Sequence, residues 1–276
     1  MPASAEGPLR CPCGGQFLAE AWRYERPPTV ETRFSFSGEG YERIVERCAA
    51  CGHFVSRHPF GTELYRSEYV DATYGDRLAA EFERIMALPD ERSDNAGRVA
   101  RIVEFAHGRL PDEARVLDVG SGLCVFLARL QRHGFRCTAL DPDARAAEHA
   151  RTVVGVEAVC ADFLEADGLG EFELVTLNKV LEHVADPVAM LTCAGGVLAP
   201  GGLVYVEVPD GEAAAADPDG PEREEFTIEH LHVFSPASLS LLAARAGFSP
   251  LRLERLREPS SKYTLAAFLS VYDRPS

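Results

Sequence analysis

From Ala114 onward, short apolar runs alternate with amphipathic stretches, and this alternation constrains the fold more than any other feature of the chain. Such alternation is typical of β-α-β units built around a mostly parallel sheet. We predict seven strands, at Arg115–Val119, Arg136–Leu140, Glu157–Cys160, Phe172–Leu177, Leu203–Val208, Leu251–Leu256 and Thr264–Tyr272. Four helices are predicted between them, at Leu123–Arg132, Ala144–Val153, Pro187–Leu198 and Pro236–Ala246. The last two strands are too close for a helical crossover, so we expect them to form an antiparallel hairpin at one sheet edge.

Composition divides the chain into three predicted regions. Residues 1–60 are punctuated by Cys, Gly and Pro and are predicted to form a small module. Residues 61–110 form a connecting segment, and residues 111–276 form the α/β domain. The helical patterns in the connecting segment lie at Leu78–Leu88 and Ala96–Leu110. Within the domain, Asp210–Glu225 is rich in Ala, Asp, Glu, Pro and Gly, which predicts a mobile loop and an acidic lid over residues 210–229.

The charge balance argues against some classes of partner. Lys and Arg total 28 against 43 Asp and Glu, which gives a net charge of −15. A negative field of this size repels phosphate backbones and anionic lipid, so we expect neither nucleic acid nor a membrane as partner. No run approaches the roughly 20 apolar residues of a membrane helix, and the first residues lack a signal-peptide pattern. We therefore expect a cytoplasmic protein whose cysteines are thiols or metal ligands.

A glycine turn follows the first predicted strand of the domain. Asp118-Val119-Gly120-Ser121-Gly122-Leu123-Cys124 ends a strand and begins a helix, and its glycines allow close approach of a ligand to the backbone. A dinucleotide fingerprint requires glycine at position 125, where this chain has Val125. The segment resembles the first motif of class I S-adenosylmethionine-dependent methyltransferases, Asp/Glu-x-Gly-x-Gly-x-Gly. Cys124 replaces the third glycine, and we expect its side chain to narrow the space beside the methionine part of the cofactor.

Further motifs of the small-molecule branch of that family follow in order. They are Leu140-Asp141-Pro142-Asp143, Cys160-Ala161-Asp162-Phe163, the "LEHV-x-DP" run Leu181–Pro187 and the "L-x-PGG" run Leu198–Gly202. The resemblance covers roughly residues 95 to 272 and implies a Rossmann-like fold with helices on both faces of the sheet. It also implies S-adenosylmethionine as cofactor. The cofactor site that it implies comprises Asp118, Gly120, Ser121, Gly122, Asp141, Pro142, Asp162, Phe163 and Asn178.

Each of these residues also has a structural interpretation. Asp118 can cap the following turn, and Asp141 can serve as the N-cap of the next helix. Glu182 and His183 can orient the first turn of a helix, and the alternative role for His183 is catalytic. The combination of several acids with the ordered motifs favours ligand binding at the strand ends.

Two cysteine pairs lie near the N-terminus. Cys11-Pro12-Cys13-Gly14 and Cys48-Ala49-Ala50-Cys51-Gly52 place four thiols on two short turns, which predicts a closed tetrahedral zinc site. Such a site can fold a segment that is too small to fold on an apolar core alone. The first pair is one residue shorter than a usual zinc-ribbon knuckle, and His53 and His58 are substitute ligands if Cys11 points away. The other cysteines, Cys124, Cys137, Cys160 and Cys193, are predicted to be small buried apolar residues.

This zinc-ribbon-like head resembles the N-terminal region of some sugar and natural-product methyltransferases. There a second "CxxCG" precedes Tyr-rich sequence, here Tyr65-Arg66-Ser67-Glu68-Tyr69 and Tyr74-Gly75-Asp76. The resemblance implies that Tyr69 and Tyr74 contact the cofactor or cover the acceptor. Alternatively, these tyrosines pack the head on the main domain.

The segment Phe226–Pro236 resembles the "EHL-x-x-FS" sequence of the same branch, including sugar C-methyltransferases with zinc heads. The resemblance places Glu229 and His230 at the acceptor. A histidine oriented by a carboxylate suits removal of a proton from a hydroxyl or ammonium, so we predict His230 as the base. In the alternative interpretation His230, like His232, fixes the turn through hydrogen bonds to backbone carbonyls.

These observations favour an α/β methyltransferase that uses S-adenosylmethionine and a structural zinc to modify a hydroxyl, an amine or a carbon of a small molecule. A sugar or a sugar-bearing natural product is the expected acceptor. Nucleotide-diphosphate sugars are the precedent for C-methylation, whereas the acids of 210–229 favour a neutral or amine-bearing acceptor. Two rivals remain at this point: a nicotinamide-dependent oxidoreductase and a catalytically silent, cofactor-binding scaffold.

Overall fold

The structure is a computed structural model that describes residues 9–31, 41–59 and 78–272. These residues form eleven strands and seven α-helices. The strands are β1 (Leu18–Tyr24), β2 (Arg43–Cys48), β3 (Phe54–Arg57), β4 (Arg115–Val119), β5 (Arg136–Asp141), β6 (Glu157–Cys160), β7 (Phe172–Asn178), β8 (Leu198–Pro209), β9 (His232–Val233), β10 (Phe248–Arg257) and β11 (Tyr263–Val271). The helices are α1 (Leu78–Met86), α2 (Asp94–Ala106), α3 (Val125–Leu130), α4 (Ala144–His149), α5 (Pro187–Gly196), α6 (Gly211–Ala216) and α7 (Pro236–Arg245).

Seven strands form the main sheet, in the order β10-β11-β8-β7-β4-β5-β6. The pairs from β8 to β6 are parallel, whereas β11 is antiparallel to both β8 and β10. The predicted mostly parallel α/β sheet with a C-terminal hairpin is therefore confirmed. Two large apolar clusters cover its two faces, one around Leu177, Val206 and Leu239, the other around Ile102, Leu127 and Phe268.

Helix boundaries follow local signals that the sequence carries. Ser93 accepts a hydrogen bond from the backbone of Ala96 and begins α2, and Asp186 caps α5 with Pro187 at its first position. Helix α4 continues as a π-helical turn over Ala150–Val154. Helix α5 ends at Gly196, two residues before the predicted end, because the chain enters β8 at Leu198.

The head contributes three strands to a second, smaller sheet. Its order is β1-β2-β3-β9, with antiparallel pairing throughout. Strand β9 belongs to the α/β domain and not to the head. Its pairs, Phe54 with Val233 and Val55 with His232, therefore join the head to the segment that follows His230. The head is thus hydrogen-bonded to one side of the predicted acceptor region.

The segment Asp210–Glu225 is not the mobile loop that its composition predicts. It forms α6 and two short 3₁₀ turns, and Glu225 is buried. Asp210 caps α6 and is paired with Arg255, while Arg223 binds both Asp217 and Glu225. Arg223 within the segment and Arg255 from the C-terminal hairpin thus pair with acids of this segment, which offsets part of the negative charge that we predicted over the acceptor.

None of the helices in the described part of the chain combines the length and apolarity that crossing a membrane requires.

Candidate active site

The predicted cofactor-site residues lie at the carboxyl ends of neighbouring parallel strands of the main sheet. The glycine turn follows β4, Asp141 ends β5, Asp162 follows β6 and Asn178 ends β7. Parallel strands place their carboxyl ends at the same edge, where open α/β sheets bind ligands. The structure therefore brings together the motifs that the sequence analysis recognised separately.

Backbone conformation explains the composition of the glycine turn. Gly120 and Gly122 have φ of 68° and 49°, in the left-handed region that glycine tolerates. A Cβ atom at Gly120 would also lie 3.0 Å from Cγ2 of Val180, so the turn fits closely against the segment after β7. Cys124, with φ of 59°, adopts the left-handed conformation at the start of α3.

The expectation that Cys124 narrows the cofactor space is wrong. Its side chain is buried in the apolar cluster that contains Cys137 and Phe126. The residue thus adopts a left-handed backbone that is strained for a non-glycine residue, and its sulfur packs into the core. Cys137 is buried as predicted, but Cys160 is exposed and Cys193 is half-buried. Cys160 lies at the last position of the short strand β6, at one edge of the main sheet.

Asp118 holds the neighbouring strand in place. Its buried carboxylate accepts hydrogen bonds from Thr176 Oγ1 at 2.6 Å and from Asn178 Nδ2 at 2.8 Å. Burial raises the pKa of Asp118 to about 6, and these two hydrogen bonds oppose the rise. Asn178 is fixed in this way with its Oδ1 atom buried and without a hydrogen-bond partner among the described residues.

Asp141 braces the glycine turn. One carboxylate oxygen accepts the N–H of Gly122 at 2.9 Å and the other accepts the N–H of Asp143 at 2.9 Å. The helix-cap role considered for Asp141 belongs to Asp143, which accepts the N–H of Arg145 at the start of α4. Burial raises the pKa of Asp141, and the two backbone hydrogen bonds oppose this by stabilising its charged form.

The remaining residues of the predicted cofactor site differ in exposure. Ser121 Oγ is buried without a hydrogen-bond partner in the described structure, and Pro142 is exposed. Asp162 is half-buried, and its carboxylate accepts the N–H of Leu164 at 3.0 Å. Phe163 packs into the main apolar cluster beneath this edge. Tyr69 and Tyr74, together with Tyr65, lie outside the described residues.

Two histidines meet beside the segment after β7. Nδ1 of His183 bonds to the carbonyl of Glu229 at 2.9 Å, and Nδ1 of His230 bonds to the carbonyl of Glu225 at 2.9 Å. Their ring centroids are 5.0 Å apart. A carbonyl can only accept, so each Nδ1 carries the hydrogen and each Nε2 keeps a lone pair. A backbone carbonyl of Glu225 thus orients His230, where we had expected a carboxylate.

His232 has the structural role that the sequence favoured. It is fully buried, and its Nδ1 lies 3.0 Å from Nε2 of His53. His53 in turn contacts Ser238 Oγ at 3.2 Å, so it is not a ligand of the cysteine cluster. The two histidines connect the head to helix α7.

The four head cysteines converge as predicted. Cys11, Cys13, Cys48 and Cys51 place their sulfur atoms within 4.8 Å of one another, with individual separations of 3.2, 3.3 and 3.7 Å. Tetrahedral zinc with Zn–S bonds of about 2.3 Å requires sulfurs about 3.8 Å apart, so the donor set fits the ion. Both members of the short Cys-x-Cys pair point inward. Burial raises the pKa of Cys51 to about 11, an effect that a bound dication reverses.

Sequence reasoning missed a buried charge network next to this edge. Glu207 of β8 is fully buried and binds Arg98 and Arg101 of α2, which hold its pKa down at about 2. The sequence did carry a signal for this network. Glu207 is a single acid in the apolar run Val204–Pro209, and a buried charge requires a buried partner. The network fixes α2 against the sheet.

Comparison with known proteins identifies the class. A family model described as a methyltransferase domain matches residues 92–253, more than half of the chain. The chain therefore belongs to the methyltransferase domain family, which removes the oxidoreductase rival.

The curated relatives match only part of their own length. A ubiquinone biosynthesis O-methyltransferase of Caulobacter sp. (strain K31) is 38% identical over 116 residues, 39% of this chain and 46% of that protein. One from Xanthomonas axonopodis pv. citri is 33% identical over 121 residues, 41% of this chain and 51% of that protein. The chain thus spans about half the length of these relatives.

Solved structures share the fold at low sequence identity. The 1,6-didemethyltoxoflavin-N1-methyltransferase of Burkholderia thailandensis, with bound 1,6-didemethyltoxoflavin and S-adenosylhomocysteine, has a TM-score of 0.59 and 19% identity, covering 90% of this chain and 100% of that one. Magnesium protoporphyrin IX methyltransferase from Synechocystis PCC 6803, with bound S-adenosylhomocysteine, has a TM-score of 0.55 and 15% identity, covering 71% and 95%.

The lowered pKa values of His183 and His232 can be tested by titration. Burial lowers the pKa of His183 and of His232 to about 4, so both are neutral near pH 7. Because the unfolded value is about 6.5, their contribution to the free energy of unfolding is complete above pH 6.5 and is lost as the pH falls toward 4. The raised pKa of Asp118 acts in the opposite direction, so NMR titration of the individual imidazoles is the appropriate measurement. We expect midpoints near pH 4, and midpoints near 6.5 would contradict the buried arrangement.

Proposed function

We propose that this chain transfers a methyl group from S-adenosylmethionine to a hydroxyl or amine of a small molecule, with a sugar or sugar-bearing natural product as acceptor. The carboxylate of Asp141, braced by Gly122 at the end of β5, is the observation that carries the proposal. A fixed carboxylate beside a glycine turn can accept both hydroxyls of a ribose. The Ser121 and Asn178 oxygens, buried without hydrogen-bond partners among the described residues, offer further polar contacts.

The acceptor class is supported by the relatives and by the sequence resemblance. The Caulobacter and Xanthomonas relatives are named O-methyltransferases, and the Burkholderia neighbour is named an N1-methyltransferase. The resemblance of the head and of the Glu229–His230 segment to sugar and natural-product methyltransferases supports the sugar. The ion pairs of Asp210, Asp217 and Glu225 weaken the charge argument for a neutral or amine-bearing acceptor over a nucleotide-diphosphate sugar.

On the acceptor side, His230 is proposed as the base. Its Nδ1–H donates to the Glu225 carbonyl, so the lone pair on Nε2 is the one that can accept a proton. Methyl transfer is an in-line displacement that depends largely on positioning, so the base contributes by removing the proton of the attacking group.

His230→Ala is expected to lower kcat by roughly 10²-fold or more, because general-base catalysis is lost. Formation of S-adenosylhomocysteine is measured against sugars, amino sugars and nucleotide sugars, and the variant is tested with the best acceptor. The exposed His133→Ala serves as a control and should retain full activity. An unchanged kcat in His230→Ala would assign that histidine to the structure of the turn. Cofactor binding without turnover of any acceptor would favour the scaffold alternative.

We also propose that the four head cysteines bind one structural zinc ion. The support is the 3.2–3.7 Å spacing of their sulfurs and the burial of Cys11, Cys48 and Cys51 on two glycine-ended turns. The ion would take no part in methyl transfer. It would hold the loop before β1 against the turn after β2, and β2 pairs through β3 with β9.

A further inference from the structure

A chain of buried polar contacts runs from helix α7 through the head to the segment after β7. Ser238 Oγ lies 3.2 Å from Nδ1 of His53, and Nε2 of His53 lies 3.0 Å from Nδ1 of His232. Nε2 of His232 lies 3.4 Å from the carbonyl oxygen of Ala185. Both rings are fully buried, so these contacts decide which nitrogen of each ring carries its hydrogen.

The carbonyl at the end of this chain fixes the tautomers of both rings. A carbonyl can only accept, so Nε2 of His232 carries the hydrogen. Burial lowers the pKa of His232 to about 4, so the ring is uncharged at neutral pH and its Nδ1 accepts. Nε2–H of His53 must therefore donate to His232, and the hydroxyl of Ser238 can donate to Nδ1 of His53. These Nε2–H rings are the opposite tautomers of His183 and His230, which donate through Nδ1.

His232 joins the two segments that carry the acceptor-side histidines. Its backbone N–H donates to the carbonyl of Glu182 at 3.1 Å, and its ring donates to Ala185. In the reverse direction, the ring of His183 donates to the carbonyl of Glu229 at 2.9 Å. Three hydrogen bonds therefore hold the two segments together, and the proposed base lies between the bonded positions.

We propose that His53 is a positioning residue for His230, an inference that rests on the proposed methyltransferase function. The Nε2–H donor of His53 holds the ring of His232 in the orientation that reaches Ala185. This contact fixes the place of His230, two residues before His232. Misplacing a reacting group by about 1 Å can cost roughly 10²-fold in rate, so such a contact matters even at a distance from the chemistry.

His53 is itself held in place by the head. It follows the second cysteine pair directly, and its carbonyl accepts the N–H of Cys48 at 2.8 Å. The carbonyl of Cys51 accepts the hydroxyl hydrogen of Ser235, and the His53 ring meets the edge of Phe234 with centroids 4.8 Å apart. The head thus contributes a fixed residue to the acceptor side, besides its own fold.

The tautomers provide a test that needs no acceptor. Long-range proton–nitrogen NMR spectra of the full chain, purified without chelator, distinguish Nε2–H rings from Nδ1–H rings. We expect the Nε2–H form for His53 and His232. The Nδ1–H form is expected for His183 and His230. An Nδ1–H form of His232 would overturn the inference, because its Nε2 could not donate to the carbonyl of Ala185.

His53→Asn and His53→Gln form a matched pair of variants. The asparagine amide takes the place of Nδ1 and loses the donor to His232, whereas the glutamine amide nitrogen takes the place of Nε2 and retains it. We expect His53→Asn to shift the ring signals of His183 and His230. It should also lower kcat by roughly tenfold to 10²-fold with the best acceptor, and leave the affinity for S-adenosylhomocysteine unchanged. His53→Gln should restore most of both losses, and the exposed His107→Gln should match the parent.

Two results with these variants would overturn the inference. Unchanged ring signals and an unchanged kcat in folded His53→Asn would show that His53 does not position the base. Equal losses in His53→Asn and His53→Gln would assign the histidine to packing of the head alone. If neither variant folds, the tautomers of the parent protein decide. Calorimetry with S-adenosylhomocysteine tests the proposed function separately, because a failure to bind it leaves the tautomers and the signal shifts measurable.

Discussion

Replacing Cys48 and Cys51 together by serine is expected to release the zinc and unfold the head. The apparent binding free energy of a structural zinc ion is about 10–16 kcal/mol and is itself folding free energy, so its loss outweighs the packing of three short strands. We expect close to one zinc per chain in the parent protein by elemental analysis, and none in the double variant. Hydrogen exchange should show lost protection in β1, β2 and β3 and in their partner β9.

The glycine turn provides the internal control for that experiment. It follows β4, in the other sheet from the head, so cofactor affinity should survive the double substitution. Cys193→Ser, a half-buried cysteine outside the cluster, should retain both zinc and protection. Parent protein purified without chelator and found to contain no zinc would refute the metal site.

Arg43→Met is expected to lower the free energy of unfolding by about 3–5 kcal/mol, because it strands a buried carboxylate. Arg43 and Glu31 form an ion pair at 3.2 Å with both side chains fully buried. Arg43 also donates to the carbonyl of Phe226, and Glu31 accepts the N–H of Ile228 at 2.9 Å. The pair therefore fastens the head to the residues just before Glu229 and His230.

Chemical denaturation of three variants tests this account. Arg47→Met lies on the same strand but is exposed, so it should change stability by less than about 0.5 kcal/mol. Arg43→Met combined with Glu31→Gln should recover part of the loss, since the stranded charge is removed. An Arg43→Met protein as stable as the parent would show that the pair is not buried in solution.

Local sequence signals predicted the sheet and the strand-end motifs well. Strand, turn and helix follow one another within a few residues around Gly120, and the acids at positions 118, 141 and 162 are tied to strand ends. The short spacing within each cysteine pair can likewise be read directly from the sequence. These features depend on short stretches of chain, so the sequence alone was sufficient to locate them.

The errors arose where distant residues decide the outcome. Asp210–Glu225 has the composition of a loop, yet Arg255 and Tyr263 from the C-terminal hairpin supply hydrogen bonds that fold it. The direction of the Cys124 side chain depends on a left-handed backbone, and the orientation of His230 depends on the carbonyl of Glu225. The pairing of Arg43 with Glu31 requires the head to pack on residues 226–228. No local pattern encodes such tertiary contacts.

Calorimetric titration with S-adenosylmethionine tests the central claim most directly. We expect the parent protein to bind it, with Asp141→Ala weakening the affinity by about 1–3 kcal/mol, or about 5- to 150-fold, as hydrogen bonds to a charged acceptor are lost. Asp143→Ala, which removes the cap of helix α4 and an ion pair with Arg145, serves as the matched control and should leave the affinity nearly unchanged. Failure of the parent to bind S-adenosylmethionine, or binding that neither Asp141→Ala nor Asp162→Ala weakens, would contradict the assignment of this edge of the sheet.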